Sequence, residues 1–154
     1  MGYTRYWKNT KREIFDDKFV DDVLNFLYIC VKHGIVLRDW DGFGKPCINK
    51  MEISFNGDRY TDSDCETFRI SATDKVDGSG YCKTGRYPYD AAVAGVLTIA
   101  EQYGYLEVDK KGDGGNDQET VDMLLEESRS ALLNQKELKK FKNIFLIPNE
   151  RYIL

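Results

Sequence analysis

Residues 91–100 form a nearly unbroken run of small and aliphatic side chains, which constrains the fold more than any other segment of the 154-residue chain. Asp90 precedes the run and Gly104 follows it, so residue types that start and end helices lie on its two sides. A helix that is apolar almost all round has to be covered on every side, and small residues let its neighbours come close. The sequence therefore predicts a central helix within one core, with Asp90 as its N-cap.

Apolar residues also recur at helical spacing between Phe19 and Val31. Asp16 or Asp17 can cap this helix, because an aspartate carboxylate accepts the unpaired N–H groups of a first turn. Gly34 follows the pattern, as glycine does at many helix C-termini. We therefore expect an amphipathic helix here.

The C-terminal part of the chain predicts two more helices. Asp117 can cap the first of them, after a flexible Gly-rich loop at residues 111–116. Asn134-Gln135 indicates a break before a short basic helix around Leu138 and Phe141. Residues 144–147 are expected either to form an edge strand or to cover the core. The apolar residues of the first of these helices are Val121, Leu124, Leu125, Leu132 and Leu133.

Alternation of apolar and polar residues predicts the strands. The N-terminal strand, residues 2–8, is rich in aromatic side chains. Asn56-Gly57, a dipeptide that tolerates the positive φ of a tight turn, follows a strand at residues 51–55. That strand is expected to pair antiparallel with one at residues 66–70. Three more short strands are predicted at residues 35–37, 81–84 and 105–108.

These elements indicate an α+β fold, with a mostly antiparallel sheet packed against two to three helices. The sequence contains no repeat and no biased linker, so residues 1–154 are interpreted as a single domain. Within it, residues 1–110 form a core that carries the motifs described below, and residues 117–154 form a C-terminal helical extension. A chain of this length buries roughly 70% of its unfolded surface and needs no disulfide or metal to fold.

Composition and charge narrow the classes of function. Apolar residues make up 42% and charged residues 31% of the chain, a composition typical of folded globular proteins. The net charge of −4 argues against general nucleic-acid binding, so any nucleic-acid contact has to be local. No apolar run reaches the roughly 18–20 residues of a membrane span, and the N-terminal residues lack a signal-peptide core. We therefore expect a cytoplasmic protein without a membrane partner.

The sequence offers few groups for catalysis or metal binding. Its single histidine, His33, follows the first amphipathic helix, and its four cysteines include no Cys-x-x-Cys pair, so reduced and mostly buried thiols are expected. The sequence from Asp109 onward does not match the EF-hand pattern, because Thr120 occupies the position of the bidentate acid. We therefore expect no catalytic residue, no bound metal and no cofactor.

Residues 81–90 contain the strongest candidate for a binding site. Lys83 and Arg86 come just before the predicted helix start, where the helix dipole and free N–H groups favour an anion such as a phosphate. Lys83-Thr84-Gly85 is not a Walker A loop, because the preceding glycine frame is absent. In the alternative interpretation, Lys83 and Arg86 are solvated edge residues and the nearby tyrosines pack on the helix start.

The aromatic N-terminus is a second candidate. Tyr3, Tyr6 and Trp7 would stack a nucleobase, and Arg5 and Lys8 would neutralise a phosphate, if all of them lined one face. On a strand, however, Tyr3 and Arg5 point to the face opposite to Tyr6 and Lys8. The alternative is that the aromatic rings belong to the core. The candidate ligand-binding residues from both regions are Lys83, Thr84, Arg86, Tyr89, Asp90, Tyr3, Arg5 and Trp7.

Short motifs follow one another within residues 1–110: Gly2-Tyr3-Thr4 with Tyr6-Trp7, Phe55-Asn56-Gly57, Glu66-Thr67-Phe68, and Cys82-Lys83-Thr84 followed by Pro88-Tyr89-Asp90. In these motifs the chain resembles a family of small uncharacterised proteins encoded by phages and prophages. The resemblance implies a phage or mobile-element setting, a location in the host cytoplasm, and a role such as host takeover or counter-defence. It implies no mechanism.

The sequence thus favours a binding protein without catalytic activity. Its ligand would be a phosphorylated small molecule, such as a nucleotide signal, or an acidic surface of a host protein. Two alternatives stay open. The first is a metal-dependent phosphoesterase that uses the loop aspartates, and the second is a structural or assembly protein that forms homo-oligomers through its third helix and acidic surface.

Overall fold

The computed structural model describes residues 3–109, 118–131 and 133–145. Within these ranges the chain has the α+β fold that the sequence predicts, with helices and antiparallel sheets around one hydrophobic core. The elements in chain order are β1 (Thr4–Asn9), α1 (Asp17–Lys32), β2 (Cys47–Ile48), β3 (Glu52–Phe55), a 3₁₀ turn (Arg59–Thr61), β4 (Phe68–Ser71), β5 (Ser79–Lys83), α2 (Asp90–Gln102), β6 (Leu106–Val108), α3 (Gln118–Ser130) and α4 (Gln135–Phe145).

The strands form two three-stranded sheets instead of one. In the first sheet β1 lies between β5 and β6, and Tyr6 of β1 stands opposite Tyr81 of β5. In the second sheet β3 lies between β2 and β4, and Phe55 stands opposite Phe68. The predicted antiparallel pairing of β3 with β4 is therefore confirmed. Strand β2 was not predicted, because a two-residue strand is too short to show a periodic pattern.

Helix α2 lies at the centre of the core, as predicted. It contacts α1, α3 and β6, and most of its residues are buried. Gly95 allows α2 to lie close to α1, because a Cβ atom added at this position would lie 1.9 Å from Cζ of Phe26 on α1. The small residues of α2 thus set how closely the two helices pack.

Side-chain caps fix the ends of α1 and α4. Asp16, one of the two candidates that the sequence offers, caps α1 by accepting a hydrogen bond from the N–H of Lys18 at 2.8 Å. Gly34 follows α1 with a φ of 87°, a conformation that glycine adopts without steric cost. Asn134 caps α4 by accepting from the N–H of Glu137 at 2.9 Å, and it donates to the Glu137 carboxylate at 2.6 Å. The predicted break and following short helix are therefore confirmed.

Three local predictions were wrong. Leu133 was expected on the same helix as Val121, but α3 ends at Ser130. Residues 35–37 form no strand, and the pairing next to them is an isolated bridge between Arg38 and Asn56, just beyond the end of β3. Asp90 is not the N-cap of α2: Tyr89 occupies that position without a side-chain bond, and Asp90 is the first residue of the helix.

At the C-terminus, residues 144–145 belong to α4 and not to a strand. The remaining predictions for this region, namely the loop at residues 111–116, the Asp117 cap, Leu132 and residues 146–147, lie outside the described residues.

No helix in the described ranges combines the length and the hydropathy that crossing a bilayer requires.

The cysteines are free, as expected. Cys30, Cys47 and Cys82 are buried, and Cys65 is half-buried. Burial raises the pKa of the Cys30 and Cys82 thiols to about 12. Both thiols therefore stay protonated at neutral pH, which suits a packing role.

Candidate functional site

The segment that joins β5 to α2 is tied to the N-terminus of the chain. The N–H groups of Thr84 and Gly85 donate to the carbonyl of Tyr3 at 2.9 and 3.2 Å. A hydrogen bond of 3.2 Å from the N–H of Tyr87 to the Thr84 carbonyl then closes a tight turn. Its central residues, Gly85 and Arg86, have φ values of 62° and 63°. Such a pair of positive φ values is typical of a type I′ turn, and a non-glycine residue adopts it at a steric cost.

Arg5 and Asp90 form a two-bonded ion pair beneath this turn. The Nε and Nη2 atoms of Arg5 donate to the Asp90 carboxylate at 2.8 and 2.7 Å, and the Thr84 hydroxyl donates to it at 2.6 Å. Burial opposes the charge on Arg5, but the hydrogen bonds and negative charge of Asp90 outweigh it and raise the pKa of Arg5. All three groups thus have partners within the protein, and their role is to join β1 to α2.

The start of α2 is occupied by the protein itself. The Asp90 carboxylate lies in the first turn, where the helix dipole favours a negative charge. The N–H of Asp90 donates to the Tyr87 carbonyl at 2.8 Å, and the N–H of Ala91 donates to the Pro88 carbonyl at 3.3 Å. The expected cradle of free N–H groups for a phosphate is therefore not open at these two positions.

Three of the candidate residues belong to the core. Trp7 is buried, and its ring packs edge-on against Phe68 with centroids 5.4 Å apart. Tyr89 is buried and donates from its hydroxyl to the Glu66 carbonyl at 2.6 Å, and burial raises the pKa of Tyr89. Thr84 is buried as well, bonded to Asp90. These residues hold the site together and do not face a ligand.

The structure does not bring Lys83 and Arg86 together. Lys83 is exposed, and it stands opposite Thr4 on the outer face of the first sheet. Arg86 lies over the ring of Tyr3, 5.3 Å from its centroid, and Tyr3 is buried on the inner face. Arg5 also lies over this ring, at 5.0 Å. The two cations therefore lie on opposite faces of β1.

Arg86 lies beside a groove of about 390 Å³ between the turn after α1, the start of α2 and helix α3. Arg86 is exposed, and within the described part of the chain no carboxylate lies at salt-bridge distance from it. Its cationic edge is therefore available to a ligand in this groove. Asp90, which is held by Arg5 and Thr84, also lines the groove, and the other lining residues are His33, Ile35, Tyr87, Pro88, Ala91, Thr120, Met123 and Leu124.

The sequence did not indicate this groove. The loop that contains Arg86, the end of α1 and the middle of α3 meet only in the folded chain, so no local pattern connects them. His33 was placed correctly at the end of α1, and its Nε2 atom lies 3.0 Å from Oε1 of Glu127 on α3. This contact joins the C-terminal end of α1 to α3.

Residues from three of the quoted motifs, namely Asn56-Gly57, Glu66 and Lys83, take part in hydrogen bonds near the strand ends. The buried Asn56 side chain accepts from the N–H groups of Gly57 and Cys65 at 2.7 and 3.1 Å. The Glu66 carboxylate accepts from the N–H of Lys83 at 2.7 Å. Because these contacts satisfy backbone N–H groups, the residues have a structural role that sequence spacing did not reveal.

Among the described residues, no group of three His, Cys, Asp or Glu side chains is placed to hold a metal ion. Two of the loop aspartates have hydrogen-bond or ion-pair partners within the protein. Asp39 accepts from the N–H groups of Asp41 and Gly44, and Asp58 pairs with Arg38 and caps the 3₁₀ turn. Asp113 and Asp117 lie outside the described residues.

No protein-family model, curated protein or solved structure matches this chain. The resemblance to small phage proteins therefore stays a prediction.

Proposed function

We propose that the protein is a binding protein without catalytic activity, and that it holds a small phosphorylated molecule in the groove beside Arg86. The observation that carries the proposal is the state of Arg86, which is exposed, has a positive φ and has no carboxylate partner within the described residues. A phosphate would supply the missing negative charge through charge-assisted hydrogen bonds.

The backbone conformation of Arg86 supports a functional role. A non-glycine residue with φ near 63° costs about 1–3 kcal/mol and persists only where its surroundings hold it. Here the turn from Thr84 to Tyr87 and the ring of Tyr3 hold it. The guanidinium is thus positioned before a ligand arrives, which lowers the entropic cost of binding.

The dimensions of the groove favour a small ligand over an extended protein surface. Its volume of about 390 Å³ falls within the range of roughly 300–1,000 Å³ that is usual for small-molecule sites. Apolar side chains, among them Tyr87, Met123 and Leu124, line most of it. A nucleotide fits this chemistry, with its base on the apolar wall and its phosphate on Arg86. In the phage setting that the resemblance implies, such a ligand would be a host nucleotide signal.

Three of the described acids are held by other groups of the protein, which favours binding over phosphoester hydrolysis. Asp39 and Asp58 hold their own loops, and Asp90 is held by Arg5 and Thr84. None of these three carboxylates is therefore available to hold a metal ion without loss of an internal contact.

A panel of nucleoside mono-, di- and triphosphates and cyclic dinucleotides, measured by isothermal titration calorimetry, tests the proposal. We expect at least one member to bind, and Arg86→Ala to weaken it by about 10- to 100-fold, as loss of a charged hydrogen bond implies. Arg59→Ala is the matched control, because Arg59 is also exposed and lies over an aromatic ring, that of Phe43. Failure of the whole panel to bind, or equal loss in both variants, would contradict the proposal.

A further inference from the structure

The outer face of the first sheet presents a pair of tyrosines. Tyr6 and Tyr81 stand directly opposite each other on β1 and β5. Their exposed fractions are 40% and 65%, although tyrosine rings of this size are usually covered. Side chains directly opposite on one face of an antiparallel pair lie about 5 Å apart. Tyr6 and Tyr81 therefore stand side by side on the outer face of the sheet.

Lysines lie on both sides of this tyrosine pair along the strands. Lys83 stands in the row next to the pair, opposite Thr4, and Lys8 stands in the row on the other side, opposite Ser79. Rows on the same face are two residues apart, or about 7 Å. Lys83 forms no ion pair with a described residue, and Lys8 contacts only Asp77 at 3.4 Å, with both side chains largely exposed. Such exposed pairs are weak and do not prevent a phosphate from binding.

Besides Asp77, which contacts Lys8, two acidic residues lie at the β6 edge of this face. Glu107 of β6 stands opposite Lys8, and Asp109 follows β6 and donates from its N–H to the Tyr6 carbonyl at 2.9 Å. A bound polyanion would therefore run along β1 and β5, away from the two acids at β6.

The sheet beneath the tyrosines is rigid. Trp7 of the central strand packs into the core against Gly80, where an added Cβ atom would lie 2.2 Å from the indole. Strand β1 pairs on both sides, with β5 and with β6. The two rings are thus displayed on a fixed platform, which keeps the ordering cost of stacking low.

From these contacts we infer that this face binds a short stretch of single-stranded nucleic acid. Two bases stack on Tyr6 and Tyr81, and the flanking phosphates meet Lys8 and Lys83. Stacking on aromatic side chains next to cations is the general way in which single strands are held without base-specific bonds. The site is separate from the groove of Arg86, and it provides the kind of local nucleic-acid contact that the acidic composition still allows.

Fluorescence anisotropy with labelled oligothymidine, oligouridine and a DNA duplex of the same length tests this inference. At low salt we expect a single-stranded probe, DNA or RNA, to bind and the duplex to bind at least about tenfold more weakly, because its bases are already stacked. Tyr6→Ala combined with Tyr81→Ala should weaken binding by about tenfold or more, whereas the two Phe substitutions should preserve it. With two phosphates neutralised, the logarithm of the association constant should fall against the logarithm of salt with a slope of about −1.4.

Control variants test whether binding of the probe depends on this face and not on other exposed tyrosines or cations. Tyr60→Ala removes another exposed tyrosine, and Arg86→Ala removes the cation of the groove; neither should change the affinity for the probe. Lys8→Ala with Lys83→Ala should bring the salt slope close to zero. Absence of binding to both single strands, equal binding to the duplex, or unchanged affinity of the double alanine variant would overturn the inference.

Discussion

Arg5 and Asp90 are 85 positions apart in the chain, yet two hydrogen bonds of 2.8 and 2.7 Å join their side chains. Only 13% of the Arg5 side chain and 10% of the Asp90 side chain are exposed. The pair connects the central strand of the first sheet to the first residue of the central helix. It therefore holds in place the turn that carries Arg86.

We expect Asp90→Asn to lower the free energy of unfolding by about 3 kcal/mol, because the mostly buried Arg5 charge then loses its partner. Urea denaturation with a two-state fit measures this. Lys50→Ala is the control, since Lys50 and Asp17 form an exposed pair whose loss should have no measurable effect. Adding Arg5→Met to Asp90→Asn should recover part of the loss, and a double variant less stable than Asp90→Asn would contradict this role of the pair.

Gly95→Ala should destabilise the protein by about 1–3 kcal/mol, because its Cβ atom would overlap the ring of Phe26. Thermal unfolding, followed by circular dichroism, measures the change. Adding Phe26→Leu should reduce the loss, because the smaller side chain leaves room for the methyl group. Gly34→Ala serves as the comparison: it has a φ of 87° and no atom within 4 Å, so its cost is conformational and Phe26→Leu should not relieve it.

Stability should fall as the pH rises above about 9, in part because of Cys30 and Cys82. Their pKa is raised to about 12 in the folded chain, against about 8.5 in an unfolded one. The unfolded chain therefore loses these protons first, so the stabilisation is complete below about pH 8.5 and disappears as the pH approaches about 12. The slope is up to about 1.4 kcal/mol per pH unit for each thiol.

The urea midpoint of unfolding, measured between about pH 8 and 10, tests this pH dependence, because unfolded thiols ionise in about that range. Cys30→Ala and Cys82→Ala should each show a lower stability but a shallower decline with pH than the wild type. If both variants declined as steeply as the wild type, the thiols would not be the cause.

Patterns within one element were enough to predict much of the fold. The spacing of apolar residues located α1, an almost continuous apolar run located α2, and Asp16 was one of the two caps proposed for α1. The alternation along the first strand correctly separated Tyr3 from Tyr6, which are respectively buried and exposed. These features depend on neighbours within a few residues, so the sequence displays them directly.

The candidate site depends on contacts that sequence does not display. Asp90 was expected to cap its own helix, but Arg5 and Thr84 bind its carboxylate. Lys83 and Arg86 are three positions apart, and the positive φ values of Gly85 and Arg86 turn the chain between them, so they lie on opposite faces of β1. The geometry of the candidate site thus depends on partners distant in sequence and on unusual backbone conformations, and a local sequence pattern shows neither.

The most direct test of the proposed groove is methyl NMR of protein labelled at methionine, titrated with the nucleotide that binds best in calorimetry. Met123 lines the groove, whereas Met51 precedes β3 and does not. We predict that the Met123 methyl resonance shifts with ligand while that of Met51 stays in place, and that Arg86→Ala abolishes the shift. A bound nucleotide that leaves Met123 unmoved, or that shifts it equally in Arg86→Ala, would contradict binding at this site.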